Sequence, residues 1–202
     1  MAGGFAGQFV VGPAMQRGTP WQDAWWFLGI GSLVMGVLLF AVMPTDDAAE
    51  KLKPAAQSSF IAPYKVVFRN PQSYMCGAIS GLLFVPTTIG AMTWGVALFE
   101  RDRSVPYSAA VLAASMVPLG WVVGCPLLGW ISDRIGRRKP VLMAGTLCML
   151  LVLLQAAHLP ALLPLSASCL VFGIFSGAAM IPYSIMKEVN PDQVKGLSLI
   201  HI

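Results

Sequence analysis

At 202 residues the chain is long enough for one or two soluble domains, but only 11% of it is charged, against roughly 25% in a soluble protein. With 56% hydrophobic residues and a mean hydropathy of +0.71, its charge-free runs are too long to hide in one small core, which excludes a soluble fold and leaves an all-α integral membrane protein. The net charge of +4 does not point to nucleic acid, because the cations cluster in alternate loops and not along one face.

Met1 to Gln16 is apolar and uncharged, and it is short for the roughly 20 residues of a span. It reads as the latter part of a helix, without the basic start or small-residue cleavage site of a signal peptide. Arg17 to Asp23 is a short loop with Gly18, Thr19 and Pro20 as turn formers. Ala24 to Met43 is a complete charge-free span, and Trp21, Trp25 and Trp26 at its start form an interfacial aromatic belt. Gly29, Gly31 and Gly36 lack the spacing of a dinucleotide fingerprint and are read as packing positions.

Pro44 to Arg69 is the longest polar segment, with seven charges and with Pro54 and Pro63 interrupting it. It has no apolar run to form a core, and it is expected to be a partly helical connector at the membrane surface. Asn70 to Phe99 carries no charge and is long enough to span with tilt. Ser80, Thr87 and Trp94 recur every seventh residue within it, which predicts one face with slight drift, and Pro86 predicts a kink. A polar stripe with a kink suits a cavity-lining helix; the alternative is that these hydroxyls bond back to the helix or to a neighbour. Glu100 to Arg103 reads as a short charged loop. The next helix begins at Val105-Pro106 and is expected to be irregular at Pro118, Gly120, Gly124 and Pro126.

Between Ser104 and Met186 every charge falls in one turn, within Gly129-Trp130-Ile131-Ser132-Asp133-Arg134-Ile135-Gly136-Arg137-Arg138-Lys139. Gly129 is expected to let two helices approach closely, and Gly136 to permit a left-handed turn. Asp133 is a fixed anion suited to a neighbouring helix N-terminus, while Arg134, Arg137, Arg138 and Lys139 hold the loop on the cytoplasmic side and can pair with carboxylates. The spacing G-x-x-x-D-R-x-G-R-R-K resembles the signature loop of the major facilitator superfamily, the twelve-helix secondary transporters.

Pro140 to Met186 is the length of two helices, with a break at His158 to Pro164. In that turn His158 is read as an interfacial histidine in preference to a proton relay. The second helix puts Ser176, Met180 and Tyr183 on one face, with Pro182 kinking its end. Lys187 to Gly196 resembles the loop before family helix eleven, whereas residues 197–202 leave the family pattern and read as a foreign tail, similar to a translated adaptor. Four G-x-x-x-G pairs, Gly3 with Gly7, Gly77 with Gly81, Gly120 with Gly124 and Gly173 with Gly177, predict a tightly packed bundle. The four cysteines lie in apolar spans without metal or disulfide spacing.

The resemblance implies about five complete transmembrane helices plus one partial N-terminal helix, running from the end of family helix five through helix ten. Residues 1–43 would end the N-terminal half, 44–69 would be the cytoplasmic connector between halves, and 70–196 would hold helices seven to ten. Ten cations in 44–69, 133–139 and 187–195 against three in the alternate loops put the first set in the cytoplasm. A bacterial inner (plasma) membrane is the expected location. Carried over residue by residue, the family makes Ser80, Thr87, Trp94, Ser176 and Tyr183 the substrate-contact candidates, and Gly129, Asp133, Arg134, Gly136, Arg137 and Arg138 the gating motif. The aspartate's family partner, the start of helix eleven, would begin near Gly196.

The function implied is secondary active transport of a small solute by alternating access, as a symporter or a uniporter, here as a truncated fragment that needs the missing helices of the same transporter. No cofactor is expected beyond a coupling proton. The partners are the lipid bilayer and a small-molecule substrate, with no nucleic acid. No P-loop or clustered catalytic set supports a pump or an enzyme. The alternative is a non-transporting helical interaction subunit.

Overall fold

The computed structural model describes residues 2–42, 62–158 and 163–190, whose secondary structure is entirely helical. Helix α1, residues 2–16, is α-helical over Ala2–Ala6 and Gly12–Gln16 with a π-helical turn, Gly7–Val11, between. Then come α2 (Trp21–Val42), the short α3 (Ala62–Arg69), α4 (Pro71–Arg103), α5 (Tyr107–Ile135), α6 (Arg138–His158) and α7 (Leu165–Val189). Five of these, α2 and α4 to α7, are long and apolar enough to cross a membrane. Most of the expected connector, the turn at 159–162, residues 191–202 and the His158 side chain lie outside the described residues.

Local chemistry sets the helix ends. Pro71 opens α4 where no donor is needed, and the Asn70 side chain caps it by accepting from the Gln72 N–H at 3.1 Å. The helix continues through Glu100 to Arg103, which sequence reading takes as a loop, and stops at Ser104 in a left-handed conformation (φ 53°). Of the four charged residues at the span's end, Glu100, Arg101 and Arg103 are good helix formers, and the helix ends just ahead of Pro106, which forbids continuation. Gly136 (φ 67°) closes α5, its N–H donating to the Ser132 and Asp133 carbonyls, and α6 starts two residues later.

The proline effects differ in kind. At Pro86 the lost hydrogen bond is absorbed by a π-helical stretch, Pro86–Trp94. In α7 a 3₁₀ turn, Gly177–Met180, precedes Pro182, so the irregularity lies on the N-terminal side of that proline. Helix α5 carries Pro118 and Pro126 and stays α-helical throughout, against the irregular helix expected there. Neighbouring helices hold it on both sides, as membrane prolines require.

Helix α5 is the centre of the bundle. Its Gly120 and Gly124 face Gly173 and Gly177 of α7 so closely that a Cβ at Gly120 would stand 2.5 Å from the Leu170 carbonyl oxygen, and one at Gly177 2.7 Å from the Gly124 carbonyl carbon. In lipid no hydrophobic force separates helix from solvent, so this backbone contact supplies packing that side chains would block. Around it Leu83, Val117, Trp121, Met149, Cys169 and Phe172 form the buried core. The other two expected glycine pairs, Gly3 with Gly7 and Gly77 with Gly81, face nothing within 4 Å among the described residues. Helix α2 has no buried residue.

Candidate functional site

The π-helical stretch decides where the polar stripe of α4 goes. An α-helix returns nearly to the same face after seven residues, whereas a π segment adds a residue to the turn and rotates the positions beyond it. Ser80 and Thr87 are accordingly fully buried, while Trp94 turns outward with 63% of its surface exposed. The single face expected for all three is therefore not formed. Ser80 Oγ donates to the Ala179 carbonyl of α7 at 3.1 Å. Thr88 and Thr93 bond back to α4, to the carbonyls of Phe84 (2.8 Å) and Thr88 (2.9 Å). Thr87 Oγ1 is buried with no partner among the described residues.

Helix α1 meets this stretch. Gln8 Nε2 donates to the Met92 carbonyl at 3.1 Å, and Gln8 Oε1 is buried and unpartnered among the described residues. Gly4 allows the approach, since a Cβ there would stand 3.1 Å from Met92 Cε. Two buried polar atoms, on α1 and on the middle of α4, thus lack a partner among the described residues, and each costs about 1–3 kcal/mol while unsatisfied. Sequence reading passes over Gln8; the available signal is an amide in the middle of an otherwise apolar stretch.

Ser176 of α7 is buried, donates to the Gly173 carbonyl at 2.9 Å and accepts a hydrogen bond from Trp121 Nε1 of α5. Phe84 of α4 meets the Trp121 ring edge-on at a centroid distance of 5.0 Å, so one indole ties three helices together. Sequence reading does not single out Trp121, although its place between Gly120 and Gly124 marks a side chain that must enter the helix contact. Tyr183 is half-buried on the last turns of α7.

Toward the end of the bundle away from the signature hairpin lies a cavity of about 970 Å³, bounded by α4, α5, α6 and α7. Its lining is mainly apolar, with Asp102, Arg103, Ser168 and Cys169 as the polar exceptions. None of Ser80, Thr87, Trp94, Ser176 and Tyr183 lines it.

At the hairpin, Arg138 is the hub. Its guanidinium pairs with Asp133 and with Glu188 of α7, the latter at 2.7 Å from Nη2 and 3.1 Å from Nε, and donates to Ser132 Oγ at 3.2 Å. Arg138 opens α6, where a cation opposes the helix dipole, and the two carboxylates offset that. Asp133 is therefore engaged within the hairpin, and its expected family partner near Gly196 lies outside the described residues. Arg134 lies over the Trp130 ring, 5.2 Å from its centroid, and Arg137 is exposed. The close approach expected at Gly129 is not made by any described residue: nothing stands within 4 Å of its Cβ position, because α6 meets α7 at Gly145 and α7 meets α5 higher up.

The chain is 30% identical over 150 residues to Probable inositol transporter 2 of Arabidopsis thaliana, covering 70% of the chain and 25% of that protein. It is 30% identical over 125 residues to the D-xylose transporter of Levilactobacillus brevis (61% of the chain, 27% of that protein) and 30% over 130 residues to Probable metabolite transport protein CsbC of Bacillus subtilis (63% and 28%). The chain thus spans about a quarter of the length of the curated relatives it matches. No solved structure matches it. The sequence pattern described as Major Facilitator Superfamily matches residues 1–196, and with its signature hairpin and apolar helices the chain belongs to that superfamily.

Proposed function

We propose that this chain is part of a secondary carrier that moves a small, uncharged, polyhydroxylated solute across a plasma membrane, the inner membrane in a bacterium, by alternating access. The observation that carries the reading is the pair of buried, unpartnered atoms, Gln8 Oε1 and Thr87 Oγ1, on two helices in contact. An amide oxygen and a hydroxyl suit a hydroxylated guest, and the relatives named for inositol and xylose transport fit that chemistry. Asp102 and Arg103 line the cavity from the last turn of α4, and no Asp, Glu, Lys or Arg lies deeper in the spans, which favours a neutral solute. In this reading the carrier is a uniporter, or its proton acceptor stands on other helices.

In this reading the chain spans parts of both halves of the carrier, and the 202 residues alone do not transport. Ten of the cations keep the hairpin side cytoplasmic. The test is uptake of labelled inositol and xylose by the full-length protein in proteoliposomes. Saturable uptake is expected there, and none from the 202-residue chain. Flux that rises linearly with solute and ignores Gln8→Leu would sink the carrier reading and favour an interaction subunit.

A further inference from the structure

Helices α4 and α7 are joined at one end and parted at the other. At the end beside the signature hairpin, the Asn70 amide donates to the Val189 carbonyl at 3.3 Å and to Asn190 Oδ1 at 3.2 Å. The Asn190 amide in turn donates to Ser73 Oγ at 3.1 Å and to the Met186 carbonyl at 2.9 Å. Asn190 is 3% exposed and Ser73 7%, so the bonds from the Asn190 amide are shielded from water, while those from the half-buried Asn70 are partly shielded. About two turns further along α4, the Ser80 bond to the Ala179 carbonyl adds a rung.

Beyond that rung both helices change character. Helix α4 becomes π-helical at Pro86–Trp94, and the 3₁₀ turn Gly177–Met180 of α7 lies at the rung itself. Such segments carry weaker ladders than an α-helix and bend more readily. Among the described residues no hydrogen bond joins 86–103 to 163–176. The 970 Å³ cavity opens there, with Gly90, Leu98 and Arg103 on one wall and Leu165, Ser168 and Phe172 on the other.

An asparagine pair whose donors and acceptors satisfy one another in an apolar surrounding has no equivalent partner to move to, so it resists sliding and separation together. We propose that Asn70, Ser73 and Asn190 form a polar clamp that keeps the hairpin-side ends of α4 and α7 one unit while their far halves part and close around the cavity. The inference rests on the carrier reading, since it assigns the moving and fixed parts of a carrier, but its test needs no solute.

The test is a pair of distance distributions, measured by pulsed electron paramagnetic resonance on the full-length protein in lipid nanodiscs with the native cysteines replaced by alanine. Nitroxides at Gln72→Cys and Lys187→Cys report the clamped end; nitroxides at Arg101→Cys and Leu163→Cys report the far end. All four positions are exposed. The clamped pair is expected to give one narrow peak and the far pair a distribution at least about twice as wide. Asn190→Ala is expected to widen the clamped pair to the width of the far pair, and Ser73→Ala to widen it by less. Asn190→Asp keeps the acceptor for Asn70 but removes both donors, and is expected to fall between, which keeps the test open if the alanine variant does not fold. Equal widths for the two pairs in the unsubstituted protein, or an unchanged clamped pair in the asparagine and serine variants, overturn the clamp. A failed uptake assay with these widths as expected overturns the solute reading and leaves the clamp standing.

Discussion

Arg138 and Glu188 meet across 2.7 Å, joining the first turn of α6 to the last turn of α7 although fifty positions separate them in the chain. Arg138 holds Asp133 at the same time, so one guanidinium closes a three-residue charge cluster on the hairpin face.

Half of the Glu188 side chain is exposed, so solvent screens this pair and its share of stability is small. A double-mutant cycle of Arg138→Ala with Glu188→Ala, read by thermal unfolding in detergent, is expected to give a coupling of about 0.5–1 kcal/mol that shrinks in high salt. A coupling of zero at low salt shows that the contact carries nothing.

The glycines divide into two groups with opposite expected outcomes. A Cβ at Gly124 would collide with the Ile174 backbone, and one at Gly173 with the Val117 carbonyl, and neither obstacle is a flexible side chain. Gly124→Ala and Gly173→Ala are expected to cost about 1–3 kcal/mol and to lower the amount of folded protein in the membrane. Gly77→Ala and Gly81→Ala meet nothing within 4 Å among the described residues, and their effect is expected to be neutral or slightly stabilising.

Trp121→Phe keeps most of the ring contact with Phe84 but deletes the N–H that Ser176 accepts. The expected loss is about 1–2 kcal/mol. Ser176→Ala strands the indole N–H and costs a similar amount, while the two together cost clearly less than their sum. Strict additivity in thermal unfolding refutes the coupling.

Stability and transport are expected to diverge at the unpartnered atoms. Thr87→Val keeps the shape and removes a buried orphan, so unfolding is expected to be unchanged or slightly later. For the full-length carrier the same change is expected to raise KM for a hydroxylated solute about tenfold, the equivalent of one lost hydrogen bond of about 1.4 kcal/mol. Gln8→Leu is expected to raise KM at least as much. Unaltered KM in both variants places the solute elsewhere.

Much of the fold is legible because lipid makes charge placement nearly decisive. The charge-free runs beginning at Ala24, Asn70, Ser104 and Pro140 yield α2 and α4 to α7, and the left-handed Gly136 comes from the turn's chemistry. What is not legible depends on helices that are distant in sequence. The G-x-x-x-G spacing is the same in all four pairs, but only Gly120 with Gly124 and Gly173 with Gly177 face one another, a choice made by the packing of α5 on α7. Trp94 leaves the stripe of Ser80 and Thr87 because a π segment changes the helical period, and a seven-residue count assumes that period is constant. Gln8 acquires meaning only when α1 is laid beside Met92, and the cavity is invisible in any one helix.

The backbone contact between α5 and α7 has a consequence for how the protein assembles. Glycines surrender no side-chain rotamers when helices meet, so most of this contact forms without the entropic penalty that a side chain such as Phe84 incurs on being ordered. Helices α5 and α7 are therefore expected to associate first, as soon as α7 leaves the ribosome, and to present a preformed surface on which α4 docks late. Hydrogen exchange during refolding would show that order as protection gained in α5 and α7 ahead of the π-helical stretch of α4.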